Sequence, residues 1–263
     1  MSISTATIDR LAPIAIVLVS PQGARNLGSI ARVMKNMGLS RLTIVAPECD
    51  PHGEEARRMA VHAFDILKAA RIVETIPEAI ADANRTIATT GRTDIQTSPL
   101  LTPEVGLPWL LDAPSALMFG PESRGLSNDE LAYAQRLVSI PTTEAYSSLN
   151  LAQAVGICAR DLVRAAPSDD SPPDASIPPI SVDRLSGEAA APVGQIEGYY
   201  DHLERVLLDI GYLHPHTASA RMKKFRRLLN RAQPSGQEVA MLRGILRQME
   251  WASRNGGSGS DSA

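Results

Sequence analysis

The chain has 263 residues, of which 44% are hydrophobic and 21% charged, with a formal net charge of −3. This composition is typical of a globular protein with one large domain, or one domain and a smaller module. The longest apolar run, residues 14–19, is too short for a membrane span, and the first residues lack a signal-peptide pattern. Cys49 and Cys158 form no CxxC motif. We therefore expect a cytoplasmic protein with no membrane partner, disulfide framework or metal site.

Residues 1–166 alternate short apolar runs with helical patterns. Runs of strand character lie at residues 14–19, 42–46, 71–74, 85–90, 115–120 and 136–141. Helical patterns lie near residues 27–38, 54–69, 77–83, 127–135 and 148–166. The alternation, with Ile and Val on both strand faces, predicts an α/β domain with a parallel sheet flanked by helices. Ligands of such sheets bind at the carboxyl ends of the strands, which are followed by loops at residues 20–28, 89–98, 119–127 and 141–150.

The chain changes character after residue 166. Residues 167–195 contain six prolines and little apolar periodicity, which predicts a flexible linker. Residues 196–253 lack strand runs and repeat apolar residues at helical spacing, which predicts a small all-α extension. The Gly/Ser-rich residues 254–263 predict a disordered tail.

The first loop motif, PQGARNLGSIAR, runs from a strand through glycine and asparagine into a helix. The free N–H groups at such a helix start can hold an anion, although Ser29 stands where a Walker loop has its lysine. A purely structural interpretation is equally open, with Asn26 as the helix N-cap and Gly28 for packing. Arg25 and Arg32 favour a functional site.

The second motif, FGPESRGLSNDE, directly follows a buried strand. Its structural interpretation is a turn with a solvated Glu122–Arg124 pair, followed by a helix that Ser127 caps with Glu130 at the capping-box position. We expect that cap in either case. A simple turn does not explain why a buried strand ends in two glycines that flank a charge pair.

The third motif, IPTTEAYSSLNLAQAVGI, joins a strand end and a polar loop to a long apolar helix. Ser147, Ser148 and Asn150 offer hydroxyl and amide groups at the helix start. An ordinary serine N-cap explains this motif locally, so by itself it does not indicate an enzyme.

In this order, the three motifs resemble those of the SPOUT superfamily of RNA methyltransferases, in its TrmH-type ribose 2'-O branch. The stretch YYDHLERVLLDIGYL…MKKFRRLLNRAQPSGQEVAMLRGIL is similar to the tail of the TrmJ subgroup, which methylates the ribose of cytidine or uridine at tRNA position 32, in the anticodon loop. The resemblance implies a homodimer, a tRNA substrate and S-adenosylmethionine as cofactor. It also implies a deep trefoil knot near residues 117–165.

The resemblance further assigns site residues. It implies a catalytic group of Arg32, Asn26, Glu122, Ser148 and Asn150. It implies cofactor contacts at Ile87, Ala88, Thr89, Gly120, Ile140, Ser147, Ser148 and Leu149. The second motif departs from the subgroup, whose members carry an arginine where Pro121 stands. This difference affects the expected RNA contacts of the loop and not the expected chemistry.

The charge distribution fits RNA binding. Residues 1–166 carry 15 Lys or Arg and 17 Asp or Glu, whereas residues 199–263 carry ten Lys or Arg and six Asp or Glu. Five of these ten basic residues lie in KKFRRLLNR (223–231). RNA contacts are expected at Arg25, Arg124, Lys223, Lys224, Arg226 and Arg227. The resemblance implies a further one at Arg92, which matches an arginine of the TrmJ subgroup. A solvated helix face is the alternative for the basic run. Two alternatives for the whole chain also stay open, a ribosomal RNA methyltransferase and a non-catalytic RNA-binding homologue.

Overall fold

A computed structural model describes residues 3–92, 99–143, 145–146, 148–166 and 189–255. The chain divides into two units, Met1–Asp183 and Arg184–Ala263. Within the described ranges, no helix is long and apolar enough to cross a membrane. The same ranges contain no group of three or more His, Cys, Asp or Glu side chains placed to hold a metal ion.

The N-terminal unit is built on a parallel sheet. In the described residues its strands are β1 (Ile14–Val19), β2 (Arg41–Val45), β3 (Arg71–Val73), β4 (Arg85–Thr89), β5 (Leu100–Leu101), β6 (Ser115–Phe119) and β7 (Arg136–Val138). They lie in the order β3-β2-β1-β6-β4-β7-β5, and all neighbours are parallel. Every residue of β1 and β6 is buried, as expected for strands covered by helices on both faces. The predicted parallel α/β sheet is confirmed.

Helices cover this sheet. They are α1 (Thr5–Leu11), α2 (Ala24–Asn36), α3 (Glu54–Ala60), α4 (Phe64–Lys68), α5 (Ile76–Ile80), α6 (Pro103–Gly106), α7 (Asn128–Leu131) and α8 (Leu151–Ala165), with 3-10 turns at Val61–Ala63 and Leu107–Asp112. In α8 the buried residues include Leu151, Val155, Cys158 and Leu162, which recur at the spacing of one helix face. That face packs against α2 and joins the main hydrophobic core.

Several short elements differ from the sequence prediction. The helix predicted over residues 54–69 is interrupted at Val61, which has a φ of +52°. A β-branched residue rarely adopts this left-handed conformation, so the helical pattern alone did not indicate the break. The sequence also did not predict α1, β5 or α6, because elements of seven residues or fewer show little periodicity.

The strand order brings four loops to one edge of the sheet. Strand β6 lies between β1 and β4, and β7 lies between β4 and β5. The carboxyl ends of β1, β6, β4 and β7 are therefore neighbours, and the three sequence motifs follow β1, β6 and β7. The trefoil knot stays a prediction.

The described part of the C-terminal unit consists of helices α9 (Val193–Asp209), α10 (Pro215–Ala232) and α11 (Gly236–Asn255). Their core includes Tyr200, Leu203, Val206, Met222 and Leu246. This confirms the small all-α extension.

The N-terminal limit of this extension differs from the prediction. Helix α9 begins at Val193 rather than at residue 196, and Ala190 and Ala191 before it are buried. The N–H of Ala191 donates to the carbonyl of Pro234 (2.8 Å). The last residues of the predicted linker thus belong to the C-terminal unit, because their small apolar side chains pack there. Residues 167–188 and 256–263 lie outside the described residues, so the flexible linker and the disordered tail stay predictions.

Candidate active site

The loops after β1, β6 and β7 are joined through one carboxylate, that of Glu122. Its Oε2 accepts from the backbone N–H of Gln22 (2.9 Å), and its Oε1 accepts from that of Gly23 (3.2 Å) and from Asn26 Nδ2 (2.7 Å). Gly23 is the N-cap of α2 and supplies no side chain for capping. Glu122 therefore caps α2 from a distant loop, and its negative charge lies at the positive end of the helix dipole.

Asn150 connects the third loop to the same network. Its Nδ2 donates to Asn26 Oδ1 (3.0 Å), while its Oδ1 accepts from the N–H of Ala152 (2.9 Å) at the start of α8. Gln153 completes the capping box by accepting from the N–H of Asn150 (3.4 Å). The three asparagine and glutamate side chains assigned to the catalytic group thus form one chain of hydrogen bonds, Glu122–Asn26–Asn150. Their catalytic role stays a prediction.

The environment of Glu122 favours its ionised form. Burial raises its pKa, but the hydrogen bonds from Asn26, Gln22 and Gly23 outweigh burial, and the net pKa lies below the usual 4.5. At neutral pH the side chain is therefore a carboxylate, fixed by three donors. This suits a positioning role better than that of an acid or base, which works best with a pKa near the operating pH.

Arg32 lies on α2, six residues after Asn26, or about 9 Å farther along the helix axis. Its side chain is exposed, and within the described residues it makes no hydrogen bond or ion pair. Arg25 and Ser29 precede it at positions i−7 and i−3, so the three lie on one helix face. The guanidinium of Arg32 is available as a hydrogen-bond donor to a hydroxyl or a phosphate.

The backbone geometry of the loop after β6 explains why it contains Gly120 and Gly125. A Cβ on Gly120 would lie 2.3 Å from backbone atoms of Gly125 and Leu126, and Gly125 has a φ of +67°. The N–H of Gly125 donates to the carbonyl of Pro121 (2.8 Å), which closes the turn. A side chain at either glycine would strain this close turn.

The charges in this loop pair differently from the predicted turn. Glu122 contacts α2, whereas Arg124 binds Glu130 through both terminal nitrogens (2.7 and 2.9 Å), so the Glu122–Arg124 pair of the structural interpretation is not formed. The capping box of Ser127 and Glu130 on α7 is confirmed.

Two helix caps also differ from the local interpretation. Asn26 is not the N-cap of α2 but lies within its first turn, because its amide is engaged by Glu122 and Asn150. Gly28, in contrast, has the expected packing role, since a Cβ there would lie 2.4 Å from the carbonyl oxygen of Ala56. The N-cap of α8 is Asn150 rather than a serine, so the helix begins at Leu151.

The residues assigned to cofactor contacts fall into two groups. Thr89, Gly120 and Ile140 are partly exposed and lie at the ends of three adjacent strands, β4, β6 and β7, and Leu149 is partly buried at the start of α8. Ile87 and Ala88 are fully buried inside the sheet, so their side chains do not reach this edge. Ser148 is exposed, and Ser147 lies outside the described residues.

The chemistry of these strand ends suits an adenosine-like ligand. Thr89, Gly120, Ile140 and Leu149 are small or apolar and bring no charge to the edge, which matches the mostly apolar lining of cofactor sites. The hydroxyl of Thr89 donates to the carbonyl of Met118 (3.1 Å), so it does not remain as an unpaired polar group.

The arginines assigned to RNA contact differ in availability. Arg25 is exposed and makes no side-chain hydrogen bond or ion pair within the described ranges. Arg92 donates to Asn128 Oδ1 (2.9 Å), and Arg124 is bound to Glu130. An RNA contact by Arg92 or Arg124 would have to compete with these internal contacts.

In the C-terminal unit, Arg226 differs from its basic neighbours. Its guanidinium is paired with Glu197 and lies 4.5 Å from the centre of the Tyr200 ring, in the interior of the unit. An RNA contact by Arg226 would have to compete with this internal pair, and it stays a prediction. Lys223 is partly buried, whereas Lys224 and Arg227 are exposed.

Sequence reasoning missed three residues of the network. Gln153 was detectable, because a polar cap followed three residues later by Gln or Glu is the capping-box pattern. Gln22 and Gly23 contribute through backbone N–H groups, which every residue except proline carries. Their side chains therefore do not indicate this contact in the sequence. Gln22 Nε2 also donates to Glu48 Oε2 (2.9 Å).

Comparisons with known proteins extend this picture over both units. The model of the SpoU rRNA Methylase family matches residues 13–160, and that of the C-terminal domain of the tRNA methyltransferase TrmJ matches residues 194–258. The chain is 39% identical over 249 residues to the tRNA (cytidine/uridine-2'-O-)-methyltransferase TrmJ of Cronobacter sakazakii, covering 92% of this chain and 97% of that one.

Two further relatives agree with these matches. The tRNA (cytidine/uridine/adenosine-2'-O-)-methyltransferase TrmJ of Pseudomonas aeruginosa is 38% identical over 246 residues, covering 92% of this chain and 95% of that one. The crystal structure of TrmJ from Z. mobilis ZM4 superposes with a TM-score of 0.77 at 33% identity, covering 90% of this chain and 98% of that chain. The chain therefore belongs to the SpoU methylase family, in its TrmJ group.

Proposed function

We propose that the protein transfers a methyl group from S-adenosylmethionine to the ribose 2'-hydroxyl of a cytidine or uridine in tRNA, at position 32 of the anticodon loop. The observation that carries the reaction is the hydrogen-bond chain Glu122–Asn26–Asn150, whose central residue lies on α2, the helix that presents Arg32 to solvent. The match of residues 194–258 to the C-terminal domain of a tRNA methyltransferase supports tRNA over ribosomal RNA as substrate.

In this proposal, Thr89, Gly120, Ile140 and Leu149 hold the adenosine part of the cofactor at the ends of β4, β6 and β7. The bound cofactor supplies an already activated methyl group, so the protein has mainly to align the acceptor oxygen. Ile87 and Ala88 support the site from within the sheet, because their side chains are buried.

Arg32 orients the 2'-hydroxyl and a neighbouring phosphate. Arginine side chains stay protonated in proteins, so Arg32 acts as a donor rather than as the base. Glu122 is also unsuited to be the base, since three donors hold it as a carboxylate. Water accepts the proton late in the reaction.

A homodimer and a cytoplasmic location belong to the same proposal. The partly open face of α8 supports association, because Ile157 is 38% exposed there beside a shallow surface depression that Leu149, Gln153 and Gly156 also line. Sedimentation of the full chain at micromolar concentration tests this part, and a monomer would contradict it.

Mass spectrometry of nucleosides tests the function. Unmodified tRNA and ribosomal RNA are incubated separately with the protein and isotopically labelled S-adenosylmethionine, with the Arg32→Ala variant as control. We expect labelled 2'-O-methylcytidine or 2'-O-methyluridine from tRNA alone, and mapping of digested fragments should locate it at position 32. Label in ribosomal RNA alone would favour the other enzyme class, and no label in either RNA would favour a non-catalytic RNA-binding protein.

A further inference from the structure

Helix α11 carries an exposed tryptophan on a face that the core of its unit does not use. Val239 and Leu246 bury the inner face of α11, and Glu250 faces α9, where it lies 3.1 Å from Arg205 and 3.3 Å from His202. Trp251 is 61% exposed. An exposed indole forgoes the free energy of burial that an aromatic side chain usually contributes, so its position on the surface invites a functional explanation.

Two arginines flank this tryptophan. Arg247 precedes it by four residues and Arg254 follows it by three, so the three side chains share one face of α11. Both arginines are exposed, and neither makes a hydrogen bond or an ion pair within residues 189–255. The nearest acidic residue in sequence, Glu250, is already bound to α9. The face is therefore cationic and uncompensated.

The ring of Trp251 is also open, unlike other aromatic rings of the chain. Arg136 lies 4.1 Å from the centre of the Trp109 ring, and Arg226 lies 4.5 Å from that of Tyr200. In the part of the chain that the structure describes, no side chain stacks on the indole of Trp251. A flat, open ring between two free guanidinium groups has the features of a nucleic-acid stacking site.

The charge of this face indicates which partner it fits. Two uncompensated cations beside the ring favour a polyanion over a second copy of this chain, whose α11 would bring the same charges. The exposed apolar side chains of α11, Met241, Ile245 and Met249, are on a different face, so the ring is not part of an apolar interface. An unpaired nucleotide offers both a base to stack and phosphates on either side.

We propose that Arg247, Trp251 and Arg254 form a stacking site for an unpaired nucleotide of the RNA substrate. The indole stacks on the base, and the two guanidinium groups contact the flanking phosphates. The inference rests on the proposed function only in taking RNA as the substrate. It names a contact surface on α11, separate from the basic run on α10.

Fluorescence of Trp251 provides a direct test. The chain has two tryptophans, so the full-length Trp109→Phe variant leaves Trp251 as the sole emitter. We expect unmodified tRNA and a single-stranded uridine oligonucleotide to quench its emission, and an RNA duplex of the same length to leave it unchanged. If Trp109→Phe does not fold, the difference in emission between the wild type and Trp251→Phe gives the same signal.

Binding measurements on variants complete the test. Trp251→Ala should weaken binding of the oligonucleotide and of tRNA by about tenfold, while Trp251→Phe retains most of the affinity. Arg247→Ala and Arg254→Ala should each reduce the slope of log affinity against log salt by about 0.7 for the single strand. Wild-type affinity of Trp251→Ala, or unchanged emission when bound RNA reaches saturation, would overturn the proposal.

The remaining outcomes separate this inference from the proposed function. Quenching by single-stranded RNA without methyl transfer to tRNA would leave the stacking site standing and reject the enzyme. Normal methyl transfer to tRNA with no change in Trp251 emission on RNA binding would support the enzyme and reject the stacking site. A change in sedimentation of Trp251→Ala without RNA would identify a second copy as the occupant of this face and reject a nucleotide site.

Discussion

At the scale of single residues, the site depends on the orientation of one amide. Asn26 donates from Nδ2 to Glu122 and accepts at Oδ1 from Asn150, so each end of the amide meets a complementary partner. Aspartate at this position would have no donor for Glu122 and would bring two carboxylates together. The network therefore requires asparagine in a way that helix propensity does not reveal.

The charge of Glu122 should contribute to stability with a defined pH dependence. Its folded-state pKa lies below the usual 4.5, so its ionisation stabilises the fold above that pH, and the contribution is lost as pH falls through the lower folded-state pKa. Glu122→Gln should lower the free energy of unfolding at pH 7 by about 1–3 kcal/mol, since it replaces a charged acceptor of three hydrogen bonds. Urea denaturation measured from pH 7 down to pH 3 checks this.

The difference between Glu122→Gln and the wild type should narrow with acidification, because protonation removes the same charge from the wild type. Gln22 is a matched control, since it joins the network through its backbone N–H. Gln22→Ala keeps this N–H and removes only the exposed side-chain bond to Glu48, so it should not reproduce the loss of stability at pH 7 expected for Glu122→Gln. A constant difference between Glu122→Gln and the wild type at all pH values would contradict an ionised Glu122 in the network.

Arg32 should affect catalysis and not stability. Its side chain is exposed and makes no hydrogen bond or ion pair in the described residues, so Arg32→Ala should change the free energy of unfolding by less than about 0.5 kcal/mol. We expect loss of methyl transfer to tRNA with cofactor affinity nearly intact, measured by labelled methyl incorporation and calorimetry. Arg25→Ala, on the same helix face, should instead raise KM more than it lowers kcat. Loss of cofactor binding in Arg32→Ala would show a structural role.

At the scale of elements, contacts between helices decide which glycines are required. A Cβ on Gly28 of α2 would lie 2.4 Å from Ala56 O and 2.8 Å from Ala60 N, both backbone atoms of α3. A Cβ on Gly156 of α8 would lie 3.8 Å from the nearest atom of Val33, which is an ordinary contact. The two helical glycines are alike in sequence but differ in packing.

Alanine substitutions at these glycines should have opposite effects. Gly28→Ala should destabilise the protein by about 1–3 kcal/mol, because α2 and α3 must move apart. Gly156→Ala should stabilise it by up to about 1 kcal/mol, because alanine favours a helix over glycine. Thermal unfolding monitored by circular dichroism compares the two. Equal effects of both substitutions would contradict the close approach of α2 and α3.

At the scale of the whole molecule, the two units carry different charges. Residues 1–166 have 15 basic against 17 acidic side chains, whereas residues 199–263 have ten against six. In α10 the exposed cations Lys224, Arg227 and Arg231 lie at helical spacing on one face. Arg226 is turned inward to Glu197. The basic run therefore contains both RNA-binding candidates and a structural residue.

Variants of α10 should separate these roles. Replacing Lys224, Arg227 and Arg231 together by alanine should weaken tRNA binding and reduce its salt slope by about 2–3, with stability retained. Arg226→Ala should destabilise the C-terminal unit by about 3 kcal/mol, because Glu197 would keep a buried charge without its partner. Filter binding across a salt titration and urea denaturation measure the two effects. Wild-type binding of the triple variant would identify this face as an ordinary solvated surface.

The sequence by itself determined the fold class, because the alternation of apolar runs and helical patterns indicates which residues of each element are buried. It also determined the capping box on α7, since a cap depends on residues three apart. The order of the motifs identified their family resemblance. All of these signals are carried by near neighbours in the chain or by the order of motifs.

Only the tertiary structure decided how these elements combine. The insertion of β6 between β1 and β4 brings Glu122 to the start of α2, although the two are about a hundred residues apart. As a result, Asn26 links two loops instead of capping α2. Within the C-terminal unit, the packing of α10 on α9 likewise pairs Arg226 with Glu197. The physical reason is that hydrogen bonds and ion pairs form between groups that are close in space, and strand order and helix packing set those distances.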